Sequence, residues 1–277
     1  MGEKGNNPCE RIPCWVEDMV ELAKVSWSDA KELFSQTDVV ILPVGSTEQH
    51  GPHNPLGTDH LNAEAVAQEV GKRTNTLVLP VIPVGVSEHH KQFPGTLWVS
   101  PDVFRMYVEE VALSATSHGA TKIVIMNGHG GNTASLLEVA GELRREWEVF
   151  AVVVMAFPPG MMEVGGGHAG AGETSANLYW HPQLVKMDRA PKTKQKEKLG
   201  GLKMDGMGRI GLAQFPWDTI DLTETGLLGG AGQELDASAA SAEKIKPAME
   251  AFLANLSQFV EALKKEEVSG LLSKPHK

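Results

Sequence analysis

Carboxylate and imidazole side chains occur together in short glycine-rich stretches of this 277-residue sequence. In the first stretch Glu48 and His50 are two residues apart, so they point to the same side if the segment is extended. Asp59 follows at the start of a predicted helix. Two carboxylates and an imidazole form a ligand set that zinc, manganese or iron can use, so this stretch predicts a divalent-metal site.

Three further stretches combine histidine with glycine, at 85–96, 126–132 and 165–175. His129 comes directly after a predicted strand, where Gly130 and Gly131 let the backbone approach a ligand and present N–H groups. His168 and Glu173 lie in the last stretch. Six of the ten histidines fall in such loops near predicted strand ends, which is the pattern of an assembled site.

Each of these polar residues also has a purely structural alternative. Asp59 by itself is equally a helix cap, Glu88 a solvated side chain, and the glycines at 165–167 a flexible turn. The histidines with an alternative as surface or hydrogen-bonded side chains are His53, His60, His89 and His90.

Short apolar runs rich in β-branched residues predict four buried strands, at 38–44, 76–81, 122–126 and 149–155. Helical patterns separate them: one over 60–72, one capped by Ser100 and closed by Gly119, and one capped by Asn132. This alternation predicts an α/β fold with a mostly parallel central sheet and helices on both faces. The polar stretches then lie at the carboxyl ends of the strands, where ligands bind in such sheets.

The rest of the chain suggests an N-terminal arm at 1–26, one domain at 27–265 and a tail at 266–277. Within the domain, 191–238 is rich in lysine and glycine and too long to be an idle loop, so we expect an irregular excursion or a covering loop. The last helix contains Pro247, which predicts a kink or a restart.

Bulk properties exclude several classes of protein. A net charge of −10 repels phosphate backbones, so no nucleic-acid partner is expected. No run approaches the roughly 18–20 apolar residues of a membrane span, and the N-terminus contains no apolar signal segment. The cysteines, Cys9 and Cys14, are too few for a disulfide scaffold and are interpreted as reduced thiols. We therefore expect a cytoplasmic protein.

Four stretches, in order, resemble motifs of the creatininase family, also called creatinine amidohydrolase-like proteins. They are LPVGSTEQHGPHNPLGTD (42–59), GVSEHHKQFPGT (85–96), MNGHGGN (126–132) and HAGAGETS (168–175), with a weaker match at TGLLGG…SAASAEK before the last helix. The resemblance implies a creatininase-like hydrolase domain with a three-layer α/β sandwich. It also implies two divalent metal ions per chain, a small-molecule amide substrate, and a homo-oligomer, commonly a hexamer.

The resemblance implies roles for individual residues as well. Glu48 and His129 would bind one metal, His50 the other, and Asp59 would bridge both, with zinc as the first choice and manganese or iron as alternatives. His168 would transfer a proton beside the substrate. Ser87 is a further candidate for contact with the substrate or its oxyanion.

One position departs from creatininase itself. Two residues after the MNGH histidine, creatininase has a glutamate that binds the second metal, and this chain has Gly131. Catalytic metals usually have about three protein ligands, and His50 with Asp59 supplies two. Glu173 is the predicted substitute, the alternatives being a role for Glu173 at a helix start or water as the third ligand. The departure argues against creatinine as the substrate.

These residues predict hydrolysis of an amide C–N bond by a metal-bound hydroxide, because a divalent metal lowers the pKa of water from about 16 toward about 7. The N–H groups of Gly130 and Gly131 are candidates for holding the oxyanion, and His168 and Glu173 are the catalytic candidates. The first predicted substrate is a lactam or a formamide. The alternatives are a short modified peptide and a non-enzymatic relative that binds metal or a small ligand. The sequence shows no clear Arg or Lys beside the ligands, which argues against a phosphoesterase.

Overall fold

The computed structural model describes residues 20–272, and at its centre lies a four-stranded parallel sheet with the strand order β2-β1-β3-β4. The strands are β1 (Val39–Val44), β2 (Leu77–Val78), β3 (Lys122–Asn127) and β4 (Phe150–Met155). The helices are α1 (Trp27–Gln36), α2 (Thr58–Thr74), α3 (Pro101–Thr116), α4 (Thr133–Glu146), α5 (Met161–Gly165), α6 (Ala171–Trp180), α7 (Thr219–Leu222), α8 (Ala242–Lys265) and α9 (Val268–Leu271). The predicted α/β fold with a parallel sheet is confirmed, although β2 is shorter than its apolar run.

Successive residues of β1 face opposite sides of the sheet and so belong to two different cores. Val39 and Ile41 pack with α2, α6 and α8, whereas Val40 and Leu42 pack with α1, α3 and α4. All four side chains are fully buried. Since each such burial stabilises the fold by roughly 1.5–3 kcal/mol, helices are held on both faces and the result is a three-layer sandwich.

The two predicted signals at the start of α3 act as expected, whereas the signal at Pro247 does not. The Ser100 hydroxyl accepts the Val103 N–H at the start of α3, and Pro101 is its first residue. In contrast, α8 runs continuously through Pro247, so of the two predicted alternatives, a kink or a restart, the restart was wrong. Pro247 is the sixth residue of α8, past the four N–H groups that have no intrahelical partner, so the helix continues there with one backbone hydrogen bond missing. No helix within 20–272 has both the length and the apolar character that crossing a membrane requires.

Asn132 precedes α4 but does not cap it, so that prediction was wrong. Its side-chain oxygen accepts the Val86 N–H at 2.9 Å, and its amide donates to Gly45 O at 3.0 Å. These bonds join the loops that follow β1, β2 and β3. Asn132 therefore holds these three loops together at the edge of the sheet and does not cap α4.

The ends of the described chain pack against the domain. Val20, only 2% exposed, lies in the core, and Glu21 forms a bridge to Val78, so 20–26 of the predicted N-terminal arm contacts the sheet. In the predicted tail, Leu271 of α9 packs against the same core. Cys9 and Cys14 lie outside the described residues.

Residues 191–238, here called the covering segment, form short antiparallel ribbons around the helix α7. Their strands are β5 (Lys192–Lys194), β6 (Lys198–Leu199), β7 (Leu202–Lys203), β8 (Arg209–Ile210), β9 (Ala213–Gln214) and β10 (Glu234–Asp236), paired as β5–β10, β6–β7 and β8–β9. The segment reaches the sheet edge through a bridge between Leu228 and His168. It is thus a covering element with little regular structure.

Candidate metal centre

The polar stretches meet where β1 and β3 end. Glu48 and His50 follow β1, and His129 follows β3. Asp59 and Glu173 lie in the first turns of α2 and α6. Neighbouring parallel strands end at one edge of the sheet, so side chains more than 100 positions apart in sequence come together there.

Glu48, Asp59 and His129 form a first group, whose ligand atoms all lie within 4.8 Å of one another. His129 Nδ1 is 3.2 Å from Glu48 Oε1 and 3.2 Å from Asp59 Oδ2. His129 Nε2–H donates to Val86 O at 3.0 Å, which leaves Nδ1 facing the carboxylates. Asp59 does not take its alternative role as a helix cap, because α2 has no side-chain capping bond.

His50 begins a second group on the other side of Asp59. Its Nδ1–H donates to Glu48 O at 3.2 Å, so Nε2 is free to face Asp59 Oδ1 at 3.0 Å and Glu173 Oε2 at 3.7 Å. Glu173 Oε2 also accepts the Ala169 N–H at 2.6 Å, so it supports the start of α6 as well. Asp59 contacts both groups, one carboxylate oxygen to each.

Four buried atoms of this cluster have no hydrogen-bond partner: Glu48 Oε1 and Oε2, His50 Nε2 and Asp59 Oδ2. Nitrogen atoms lie 3.0 and 3.2 Å from Asp59, but these contacts lack hydrogen-bond geometry. Each unsatisfied buried polar group costs about 1–3 kcal/mol, and more if it is charged. Carboxylate oxygens and imidazole nitrogens are ligands of zinc and related divalent ions, so the residues fit a metal centre.

Burial and opposite charges set the protonation of the cluster. Burial raises the pKa of Glu48, but His129 and His90 together outweigh burial and hold that pKa well below its usual range. Burial lowers the pKa of His50, but the carboxylates of Asp59, Glu173 and Glu48 together outweigh burial and raise that pKa to about 9. Burial raises the pKa of Glu173 to about 7. Protons therefore occupy atoms that a metal would contact, and they leave when it binds.

His168 stands beside both groups. Its Nε2 lies 2.8 Å from Gln49 O and 2.8 Å from the side-chain amide nitrogen of Gln49. In the tautomer whose Nε2–H donates to Gln49 O, an unprotonated Nδ1 faces the cluster, 3.7 Å from Glu48 Oε1 and 4.0 Å from Glu173 Oε2. Burial and the neighbouring His50 hold the pKa of His168 well below its usual range. The ring is therefore neutral, with a lone pair on Nδ1 that can accept a proton or bind a metal.

A cavity of about 720 Å³ opens onto the cluster. Its polar floor includes His129, His168 and Glu173, with Gly130 and Gly131 beside them. Its walls are apolar and come from the segment after β4 and from the covering segment. Of the residues with unpaired ligand atoms, Asp59 lines this cavity, so the cluster lies directly beneath a space that a small molecule can enter.

Comparison with known proteins agrees with this geometry. A family model for creatininase, described as creatinine amidohydrolase, matches residues 23–260. The chain belongs to the creatininase family. Membership confirms the resemblance found in the sequence and, with it, the prediction of a metal-dependent hydrolase of carbon–nitrogen bonds.

Relatives within the family differ in what they act on. The chain is 34% identical to the mycofactocin precursor peptide peptidase of Mycobacterium tuberculosis (strain ATCC 25618 / H37Rv), over 79% of this chain and 84% of that protein. It is 29% identical to the creatinine amidohydrolase of Pseudomonas putida, over 61% of this chain and 75% of that protein. A creatininase crystal structure has the same fold, with a TM-score of 0.74 and 24% identity over 90% of this chain and 99% of that one. Solved creatininases include a zinc form and a manganese form.

Gly131 stands where the sequence resemblance implies a metal-binding glutamate in creatininase itself. A Cβ on residue 131 would collide with His129 Nε2 and would lie 2.5 Å from Val86 O. His129 Nε2 and Val86 O form the hydrogen bond that orients the His129 ring. Any side chain at position 131 would therefore disturb His129. Besides Asp59, the carboxylate that lies near His50 is that of Glu173, at 3.7 Å.

His90 was not assigned to the site from the sequence, yet the structure places it there. Its Nε2 is 3.2 Å from Glu48 Oε1, and its Nδ1 is 2.6 Å from Thr219 Oγ1 and 3.0 Å from Gln49 Nε2. Thr219 belongs to α7 of the covering segment. His90 thus joins that segment to Glu48. No local pattern signals this contact, because its partners come from distant parts of the chain.

Ser87, a candidate substrate contact in the sequence, is not brought to the cavity. It is fully buried, and its hydroxyl donates to Leu97 O at 3.0 Å while accepting from Ser46 at 2.9 Å. His60 also takes its structural alternative, because its Nδ1 lies 3.0 Å from Ser46 O. His53 does the same and pairs with the hydroxyl of Thr174 at 2.8 Å.

Proposed function

We propose that this chain hydrolyses the amide bond of a short peptide at a centre of two divalent metal ions, with zinc as the first choice. The observation that carries the proposal is the set of four buried, unpaired ligand atoms on Glu48, His50 and Asp59. Such atoms are costly without a cation, and the cavity borders the cluster at Asp59, His129 and Glu173.

Two ligand sets follow from the contacts. Glu48, Asp59 and His129 are proposed to hold one metal, and His50, Asp59 and Glu173 the other, with Asp59 shared. Each metal then has three protein ligands, which leaves room for water or substrate. Support comes from the free Nδ1 of His129 and the free Nε2 of His50, each fixed by a hydrogen bond at the other ring nitrogen.

When bound, divalent metals lower the pKa of water and polarise a carbonyl oxygen. The chain itself is proposed to supply the rest. Gly130 and Gly131, which line the cavity, offer backbone N–H groups to the oxygen that becomes negative. His168 accepts a proton at Nδ1 and returns it to the leaving nitrogen, while its bond to Gln49 O keeps the ring in place.

The sequence favours a lactam or formamide as the substrate, with a short modified peptide as the alternative, and two observations now favour the peptide. The cavity of about 720 Å³ is in the range of sites that hold ligands much larger than one small ring. The peptide peptidase from Mycobacterium tuberculosis covers more of the chain, at higher identity, than the Pseudomonas putida creatinine amidohydrolase. Among the described residues, no Lys or Arg lines the cavity, so a phosphate ester has no partner for its charge.

The decisive experiment is an assay of metal-free protein and of protein reloaded with zinc or manganese. The panel consists of short peptides, lactams, formamides and phosphate esters. We expect amide cleavage only in the reloaded protein, with loss on chelation. Full turnover in protein that elemental analysis shows to be metal-free would refute the proposal, as would turnover of phosphate esters alone. The homo-oligomer, with a hexamer as its expected form, and the cytoplasmic location stay predictions.

A further inference from the structure

The cavity walls are built from apolar side chains that face solvent. Met155 is 39% exposed, Met162 65% and Met207 48%. All three line the cavity together with Phe215 and Trp217. Exposed apolar groups gathered around one opening mark a surface that binds an apolar partner.

Charge in the cavity is confined to its floor. Among the described residues that line it, the carboxylates are Asp59 and Glu173, both part of the proposed metal centre, and no Lys or Arg is present. A charged substituent pressed against these walls would lose its water without gaining a counter-ion, which is costly. The walls therefore select against charge on the part of the substrate that touches them.

Trp217 is a fixed wall rather than a loose side chain. The rings of Trp217 and His89 pack edge to face, with their centroids 5.2 Å apart and an interplanar angle of 77°. Gly208, at φ +69°, leaves the room that the indole needs, because a Cβ there would collide with the Trp217 ring. The Phe215 N–H donates to Gly208 O at 2.9 Å and closes the same loop. An aromatic wall held in this way favours apolar and aromatic groups.

We infer that the substrate is a short peptide in which an uncharged, bulky apolar or aromatic residue flanks the scissile bond and packs against Trp217 and Phe215. This rests on the proposed function and specifies its substrate. The C–N bond breaks, the oxygen of a water bonds to the carbonyl carbon, and the protons of that water go to the leaving amine and the new carboxylate group. The covering segment thus selects the residue beside the bond, while the sheet edge carries the chemistry.

The test uses zinc-loaded or manganese-loaded full chain and a matched series of blocked dipeptides with Phe, Leu, Gly, Asp or Lys beside the bond. We expect kcat/KM for Phe and Leu to exceed that for Gly, Asp and Lys by about tenfold or more, as burial of one large apolar side chain implies. Trp217→Ala should remove most of this preference, with kcat/KM for the Phe and Leu peptides falling toward that for the Gly peptide. Leu212→Ala is the matched control, since Leu212 is fully exposed on the same segment and does not line the cavity.

A second variant distinguishes a change in substrate preference from a loss of folding, because it is expected to gain activity on one peptide. Met207→Lys adds a cation to an exposed wall position and should raise kcat/KM for the Asp peptide severalfold while lowering that for the Lys peptide. Equal rates for all peptides in the parent chain, or a preference untouched by Trp217→Ala and Met207→Lys, would overturn the inference. Turnover of lactams or formamides without peptides would overturn it and leave metal-dependent amide hydrolysis standing. Failure of every amide would refute both.

Discussion

The sheet-edge cluster and the covering segment are built in opposite ways. In the cluster, polar atoms are buried: Glu48 and His50 are 0% exposed, yet several of their ligand atoms have no partner. In the covering segment, apolar side chains are exposed: Met207 is 48% exposed and lines the cavity. Each region keeps an arrangement that folding by itself disfavours.

This contrast separates two tasks. The buried polar atoms without partners can bind a cation, and the strands and helix starts fix their positions. The exposed apolar side chains on the short ribbons can bind a side chain of the substrate. Changes at the sheet edge should therefore alter metal binding and chemistry, whereas changes in the covering segment should alter substrate choice.

The largest effect is expected for Asp59→Asn, because Asp59 contacts both His129 and His50. Metal affinity should fall more than about 100-fold at both sites, since even residues behind the ligands cost 10–100-fold when changed. Glu48→Gln is the matched comparison and should weaken mainly one metal. The measurement is bound metal per chain, by elemental analysis. A full complement of metal in Asp59→Asn would mean that Asp59 does not bridge.

His168→Ala is expected to lower kcat by about 10²–10⁴, the usual contribution of a positioned proton carrier. Metal content should stay close to that of the parent, because His168 is proposed as a proton carrier outside both ligand sets. Its Nδ1 lies 3.7 Å from Glu48 Oε1 and 4.0 Å from Glu173 Oε2, so metal content must be measured alongside kcat. Single-turnover kinetics and elemental analysis on the same sample test both parts. Loss of one metal in this variant would make His168 a ligand instead.

Glu173→Gln should weaken one metal and spare the other, since Glu173 lies 3.7 Å from His50, whereas the carboxylates that contact His129 are those of Glu48 and Asp59. Calorimetric titration of the parent should show two binding events, and the weaker one should fade in the variant. Glu163→Gln, an exposed carboxylate on α5, is the control. Two unchanged events would restrict Glu173 to its bond with the Ala169 N–H at the start of α6.

The smallest effect is expected where the two regions meet. Thr219→Val removes the hydroxyl that contacts His90 Nδ1 and His89 O while keeping the side-chain shape. His90 should then hold Glu48 less firmly, and zinc affinity should fall about tenfold. Thr219→Ser keeps the hydroxyl and should behave as the parent. Equal zinc affinity in the two variants would show that the contact between Thr219 and His90 does not affect metal binding at the sheet edge.

Much of the sheet edge could be predicted from the sequence. The runs at 38–44 and 122–126 are short, apolar and followed by glycine-rich polar loops, and such loops stand at the carboxyl ends of parallel strands. Local patterns therefore brought Glu48, His129 and His168 into one predicted site. Their roles as ligands or proton carrier remain proposals that the variants above test.

Local patterns failed where a side chain had several possible partners. Asn132 is a good helix cap by type, but in the folded chain it bonds to Gly45 and Val86. Ser87 lies in one of the motif stretches, yet its hydroxyl forms hydrogen bonds with Ser46 and Leu97 inside the protein. A short polar side chain bonds to whichever group folding brings nearest, and the sequence does not state which group that is.

The sequence by itself determined the α/β architecture, the polar loops at the strand ends and the family, because these depend on periodicity and on ordered local motifs. Only the tertiary structure decided that His90 meets Glu48 and Thr219, and that Trp217 walls the cavity. The covering segment has no strong periodicity to read, and its position comes from long-range contacts such as the bond from Gln49 to Gly226 O. Contacts across 177 residues are set by packing of the whole domain, which no local spacing encodes.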